Sequence, residues 1–131
     1  MITLHGIKNC DSVKKARRWL ETNALDYQFN DVREDGIDAV RIADWLKHCD
    51  ADQLVNRRST SWKNLPPNQQ DEIKYLLTQT DADKSCRKLA KLLAANPLLI
   101  KRPVVVVNDQ TLLIGFNQHQ YESSLDASTT E

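Results

Sequence analysis

The opening residues Ile2-Thr3-Leu4-His5 alternate apolar and polar, the period-two pattern of a half-buried strand. From residue 11 the period lengthens, and Val13, Ala16 and Leu20 recur at three- and four-residue steps on one face of a helix that ends near Asn23. Tyr27-Gln28-Phe29-Asn30 returns to alternation. Strand, helix and strand in this order predict a βαβ unit with a right-handed crossover and parallel strands.

The middle of the chain reads as helices. Gly36 punctuates, Asp38 is placed as an N-cap, and Ala39, Ile42, Ala43 and Leu46 share the face that follows. Asn56-Arg57-Arg58-Ser59-Thr60-Ser61-Trp62 is polar and aperiodic, and predicts a loop anchored by its tryptophan. Pro66-Pro67 opens a helix over about 68–77 with Ile73, Leu76 and Leu77 inward. Another runs over about 83–95 with Cys86, Leu89, Ala90 and Leu93 inward, and Asn96-Pro97 ends it.

Strands then return. Val104-Val105-Val106-Val107 and Thr111-Leu112-Leu113-Ile114, joined by the short polar turn Asn108-Asp109-Gln110, predict an antiparallel hairpin. The unbroken valine run predicts a strand buried on both faces, inside the sheet. Residues 116–125 predict a short closing helix. The organisation is one domain over 1–122, with a helical insertion at about 36–96, and a polar C-terminal tail over 123–131.

Charge narrows the classes of function. Eighteen basic and eighteen acidic side chains cancel, so no global field draws the chain to nucleic acid or to a membrane surface. No apolar run approaches the ~20 residues of a membrane span, and the strand pattern begins where a signal peptide would stand, which predicts a cytoplasmic protein. Three cysteines, at 10, 49 and 86, form no C-x-x-C pair, and no histidine has metal-ligand spacing with another ligand type. We therefore expect neither a disulfide framework nor a metal.

Cys10 is the candidate for chemistry. It falls in the loop between the first strand and the first helix, with Lys8 and Asn9 before it and Lys14 and Lys15 after it. Unpaired amides and the positive end of the helix dipole favour negative charge there, the setting that holds a thiol as thiolate. Asp11 or Ser12 is available as N-cap. A buried, inert thiol is the competing interpretation. Cys49, beside His48 at a helix end, and Cys86, on an apolar face, read as structural. His5 lies on the first strand with its side left open.

Two further patterns supply cations. Arg57 and Arg58 stand among hydroxyl side chains in the middle loop, and arginine's fork suits a carboxylate or an oxyanion. Arg102-Pro103 precedes the valine strand, where a proline is tolerated because its missing N–H need not join the ladder. Base rates favour a trans bond, and cis remains open.

Three quoted stretches, Gly6-Ile7-Lys8-Asn9-Cys10-Asp11-Ser12-Val13-Lys14-Lys15-Ala16, Asn56-Arg57-Arg58-Ser59-Thr60-Ser61-Trp62 and Leu99-Ile100-Lys101-Arg102-Pro103-Val104, resemble the arsenate reductase-related ArsC/Spx family, and within it the YffB-type proteins. The resemblance covers about residues 1–122. It implies an α/β thioredoxin-like fold, βαβ, helical insertion and ββα, with a mixed four-stranded sheet and a helical subdomain. It implies a nucleophilic Cys10, substrate or glutathione binding by Lys8, Asn9, Arg57, Arg58 and Arg102, and Pro103 as a cis-proline facing the cysteine. Arg57 and Arg58 are adjacent, and neither is singled out.

The function so implied is a single-cysteine thiol–disulfide oxidoreductase that takes glutathione as co-substrate, with glutathione or glutaredoxin as partner and a small oxyanion or disulfide as substrate. The alternative is an Spx-like regulator without catalysis, binding RNA polymerase or another protein. Two departures stand out. Ile114-Gly115-Phe116-Asn117 carries no basic residue where the arsenate reductases have a third one, and Val13 stands where Spx-type regulators often carry a second cysteine.

Overall fold

The structure, a computed structural model, describes residues 1–79, 83–108 and 111–126. The chain divides into two compact units, Met1–Asp31 with Arg102–Glu131, and Val32–Lys101.

The first unit is built on a sheet. Strand β1 (Ile2–Gly6) pairs in parallel with β2 (Tyr27–Asp31), in register from Ile2↔Tyr27 to Gly6↔Asp31. On its other side β1 pairs antiparallel with β3 (Val104–Val107), which pairs antiparallel with β4 (Thr111–Ile114). The order β2-β1-β3-β4 places the valine strand inside a mixed four-stranded sheet, as the run of apolar residues predicts. Helix α1 (Asp11–Thr22) connects β1 to β2 and completes the βαβ unit. This is the thioredoxin-like arrangement.

The periods explain the packing. Val13, Ala16 and Leu20 of α1 are fully buried, and they share a core with Ile2 and Leu4 of β1, Val105 and Val107 of β3, and Leu113 of β4. His5, one residue beyond Leu4 on the strand, is 2 % exposed and projects to the opposite face of the sheet. That settles the side left open by the sequence.

The chain end closes the same core. Helix α7 (Gln118–Tyr121) runs on into a wider turn over Glu122–Asp126. Tyr121 and Leu125 both enter the core. Residues 123–126, expected in a polar tail, lie in this turn, and Leu125 is an apolar anchor that the surrounding serines obscure; residues 127–131 lie outside the described residues. So do Asp109 and Gln110 of the expected hairpin turn, although β3 and β4 pair as predicted.

The second unit is helical: α2 (Ala39–Trp45), α3 (Ala51–Leu54), α4 (Thr60–Lys63), α5 (Pro67–Leu77), α6 (Asp83–Ala95) and a 3₁₀ turn at Pro97–Leu99. Asp38 caps α2 as expected, its Oδ1 accepting from the Arg41 N–H at 2.7 Å. Helices α2 and α5 both pack on α6. Four expectations change here, the first at Leu77, expected inward and found half-buried beside the buried Ile73 and Leu76. Residues 60–63 form a helical turn, because the Ser59 Oγ caps it by accepting from the Trp62 N–H at 3.1 Å. Trp45 is buried together with Ile42, while Ala39 and Ala43 are only half-buried. Cys86 is half-buried, whereas Leu89, Ala90 and Leu93 fill the interior.

Candidate functional site

The site is assembled by the end of β1 and the start of α1. Gly6 closes the strand, Ile7 is buried, Lys8 and Asn9 are exposed, and the half-buried Cys10 occupies the N-cap of α1 in extended conformation, φ −133° and ψ 127°. Its carbonyl accepts the first helical hydrogen bond, from the Lys14 N–H at 2.9 Å. Asp11 and Ser12, the caps expected from sequence, lie inside the helix. Their short oxygen side chains look like caps, but the apolar face needs Val13 at the third helical position, which starts the helix one residue earlier.

A thiol at the N-cap has a chemical consequence. Serine or aspartate in this place would accept a hydrogen bond from an amide of the first turn, and the Cys10 side chain makes no such bond. Amide donors of that turn therefore lack a capping oxygen. The side chain at this position stands at the positive end of a twelve-residue helix, where negative charge is favoured. The sulfur also rests against the edge of the core, so it is neither sealed in nor fully solvated.

Close packing fixes that helix end. An added Cβ on Gly6 would lie 2.6 Å from Cγ2 and 3.3 Å from Cγ1 of Val13. Only a glycine lets α1 approach the end of β1 this closely, and Val13 sits three residues from the sulfur.

Arg102 and Pro103 come to the same end of the sheet. The register His5↔Val104 sets the entry to β3 beside the exit from β1. The Arg102–Pro103 peptide bond is cis. The Pro103 carbonyl accepts from the Gly115 N–H at 2.8 Å, and Gly115 reaches that position at φ +77°, in the left-handed region that glycine tolerates. Pro103 is buried and Arg102 half-buried, with its Nε buried. Lys8, Asn9, Cys10, Arg102 and Pro103 thus collect at one end of the first unit.

The remaining expected residues belong to the helical unit and differ from each other. Arg57 is committed, its Nη2 lying 2.8 Å from the Asp52 Oδ1. Arg58 contributes only its backbone N–H to the Asn56 Oδ1, at 3.1 Å, which leaves its guanidinium exposed. The sequence contained the signal for this choice in Asp52, five residues before Arg57. In the same unit, burial, and after it the Asp50 charge, push the Cys49 thiol up to about 11. That thiol is a poor nucleophile at neutral pH. His5 pairs with its register partner, the Asn30 Nδ2 standing 3.0 Å from its Nδ1, a partnership that only strand register reveals.

The sequence model of the ArsC family matches residues 5–124. The chain belongs to the ArsC family. This ArsC-family chain is 40 % identical over 124 residues to a Haemophilus influenzae protein, an alignment that spans 95 % of it and 98 % of the relative. It is 26 % identical over 130 residues to the global transcriptional regulator Spx 2 of Bacillus anthracis, covering 98 % of it and 89 % of the regulator. Among solved structures it superposes on a YffB protein with a TM-score of 0.80 at 30 % identity, over 95 % of this chain and 99 % of the other. A transcriptional regulator thus aligns along nearly the whole of this ArsC-family chain.

Proposed function

We propose that this protein is a cytoplasmic, glutathione-dependent thiol reductase working through Cys10 alone. The carrying observation is the half-exposed Cys10 sulfur at an N-cap that no side-chain oxygen fills. The thiolate attacks one sulfur of a disulfide substrate, the substrate's S–S bond breaks, and one half leaves as a thiolate that takes a proton from water. A first glutathione thiolate then attacks the Cys10 sulfur of the mixed disulfide and releases the second half. A second glutathione attacks the resulting adduct and frees Cys10. Two glutathiones supply two electrons and leave as one glutathione disulfide, while the substrate leaves as two thiols.

Arg102, with Lys8 and Asn9, is assigned to binding glutathione carboxylates, and the backbone at Arg102-Pro103 to pairing with its peptide groups. Of the middle-loop arginines, Arg58 is the one assigned to an anion. A disulfide is preferred to arsenate as substrate, because residues 114–117 carry no basic side chain. Glutaredoxin is the alternative source of the resolving thiol.

The similarity to Spx 2 favours a second reading, a regulator that binds RNA polymerase and turns nothing over. One assay separates the two. Purified protein is mixed with glutathione and 2-hydroxyethyl disulfide, and glutathione disulfide is followed by coupled NADPH consumption. Turnover that disappears in Cys10→Ser supports the reductase; equal background rates in both proteins reject it in favour of the regulator.

A further inference from the structure

We propose that the groove between α1 and the start of α7 is a docking site for an extended acidic segment of a partner protein, with two carboxylates spaced two residues apart and a large apolar side chain two residues further on. The groove is about 420 Å³ and lies wholly within the first unit. The proposal uses no thiol chemistry and stands apart from the reductase reading.

The walls state the chemistry. Lys15 and Arg18 line one side, and neither makes an ion pair or a side-chain hydrogen bond among the described residues. With Lys14 they put three cations on α1, where the four-residue step from Lys14 and the three-residue step from Lys15 set like charges beside Arg18. That repulsion favours an external anion.

The floor is aromatic and already in place. Trp19 meets Tyr121 edge to face with ring centroids 5.6 Å apart, and Phe116 meets Tyr121 at 5.0 Å. Trp19 and Phe116 are only half-buried and both line the groove. Because their rings are held by the core beneath, an incoming apolar side chain finds a rigid surface at small entropic cost.

The rim selects peptide over nucleic acid. Gln118 donates its Nε2 to Glu122 at 2.9 Å, and Asn23 donates its Nδ2 to the Trp19 carbonyl at 2.8 Å. Both side-chain carbonyl oxygens are left as acceptors. A peptide backbone has N–H groups to offer them, whereas a sugar-phosphate backbone of DNA has none; the Glu122 carboxylate, unfavourable to either anion, already accepts from Gln118. Lys15 and Arg18 are about one helical turn apart, ~5 Å along the axis, and alternate residues of an extended peptide are ~7 Å apart on one side. Two carboxylates at that spacing reach both cations, and the next residue on the same side falls over the aromatic floor.

The test uses the full chain, reduced and ¹⁵N-labelled, titrated with acetyl-Glu-Ser-Glu-Ser-Leu-amide and monitored by amide and indole shifts. We expect saturable shifts confined to residues 15–23 and 116–122, including the Trp19 indole. We expect binding weaker by about five- to tenfold when both Glu of the peptide become Gln, and by at least as much in Lys15→Glu/Arg18→Glu. The peptide variant requires no change in the protein, so misfolding does not confound it. Equal affinity for the Gln peptide, shifts mapping elsewhere, or oligothymidylate shifting these residues while the peptide does not would each overturn the proposal.

Discussion

Replacing Gly6 by alanine tests the close packing that holds Cys10 in place. The new methyl would stand 2.6 Å from the Val13 Cγ2, about 1 Å inside the ~3.5 Å at which carbon atoms normally touch. Val13 cannot swing away, since it is fully buried with Ala16 and Leu20 in the core. The start of α1 must therefore move off β1, and overpacking of this kind costs about 1–3 kcal/mol. For a chain of this size that is an apparent Tm lower by about 4–12 °C. Val13→Ala removes both clashing atoms and by itself costs about 1.5–2.5 kcal/mol in lost burial and cavity. In that background the nearest remaining contact of the new methyl is the Leu4 Cδ2 at 3.6 Å, ordinary van der Waals distance. Gly6→Ala should then cost close to nothing, giving a coupling of about 1 kcal/mol or more across the double-mutant cycle. Thermal and urea unfolding of the four proteins read this directly, and Cys10 alkylation at fixed pH reports whether the helix start has moved. If Gly6→Ala costs the same with Val13 present and absent, the steric account of this junction is wrong.

Other consequences are open to simple measurement. Arg102→Ala should lower kcat/KM for glutathione-dependent turnover by about ten- to a hundredfold, the loss of one charge-assisted contact, while Arg57→Ala, which breaks only the exposed pair with Asp52, stays within about threefold of wild type. Cys49 should resist iodoacetamide at neutral pH and react only as pH approaches about 11, in peptide-mapped alkylation that labels Cys10 first. The folded state raises that thiol's pKa, so its contribution to stability is intact below the unfolded value of ~8.5 and is lost as pH climbs through 11; the urea midpoint of Cys49→Ala should fall less over that window than that of wild type. Val13→Cys places a second sulfur three residues after Cys10, and oxidation by glutathione disulfide should then yield an internal disulfide, seen as loss of two thiols by mass-tagging; persistent glutathionylation of Cys10 would contradict the geometry assigned to this turn.

Much of the architecture could be read from periodicity because its elements bury one continuous face. The steps of α1, the alternation of β1 and the valine run of β3 each carry a signal strong enough to place them, and the three together define the sheet. The misses share a cause: in each, one residue's local context hid what it does in three dimensions. Ser59 ends a polar loop by composition and begins a helix by hydrogen bonding. Leu125 sits among serines and an aspartate, and its role emerges only when the chain end folds back on the core. Trp45 is a single large residue at the end of a short helix, where spacing carries little information. At the site, strand, loop, cysteine and helix were legible in order. That the cysteine itself caps the helix was not, because capping preferences point to the oxygen side chains at 11 and 12. That Arg57 and not Arg58 pairs with Asp52 was not legible either, because it is a side-chain pairing across one short helix.

Position 13 decides what kind of redox chemistry this chain can carry. The third helical residue is the one an N-cap side chain reaches, so a sulfur at 13 would be the natural partner for the sulfur at 10. Here that place holds a fully buried valine whose methyls face Gly6, and its burial anchors α1 against β1. The same residue thus packs the turn that carries Cys10 and leaves no sulfur at position 13. Cys49 and Cys86 belong to the other compact unit, and Cys49 is further disabled by its desolvated thiol. In the proposed cycle an adduct on Cys10 is resolved by a thiol from solution, and its lifetime is set by the concentration of that thiol. A regulator with this arrangement would sense the ratio of glutathione to glutathione disulfide through one mixed disulfide, whereas an enzyme would turn it over. The reductase reading requires the Cys10–glutathione adduct to form and be released at the N-cap of α1, and a Cys10 that never acquires glutathione at millimolar glutathione disulfide would remove it and leave the regulator.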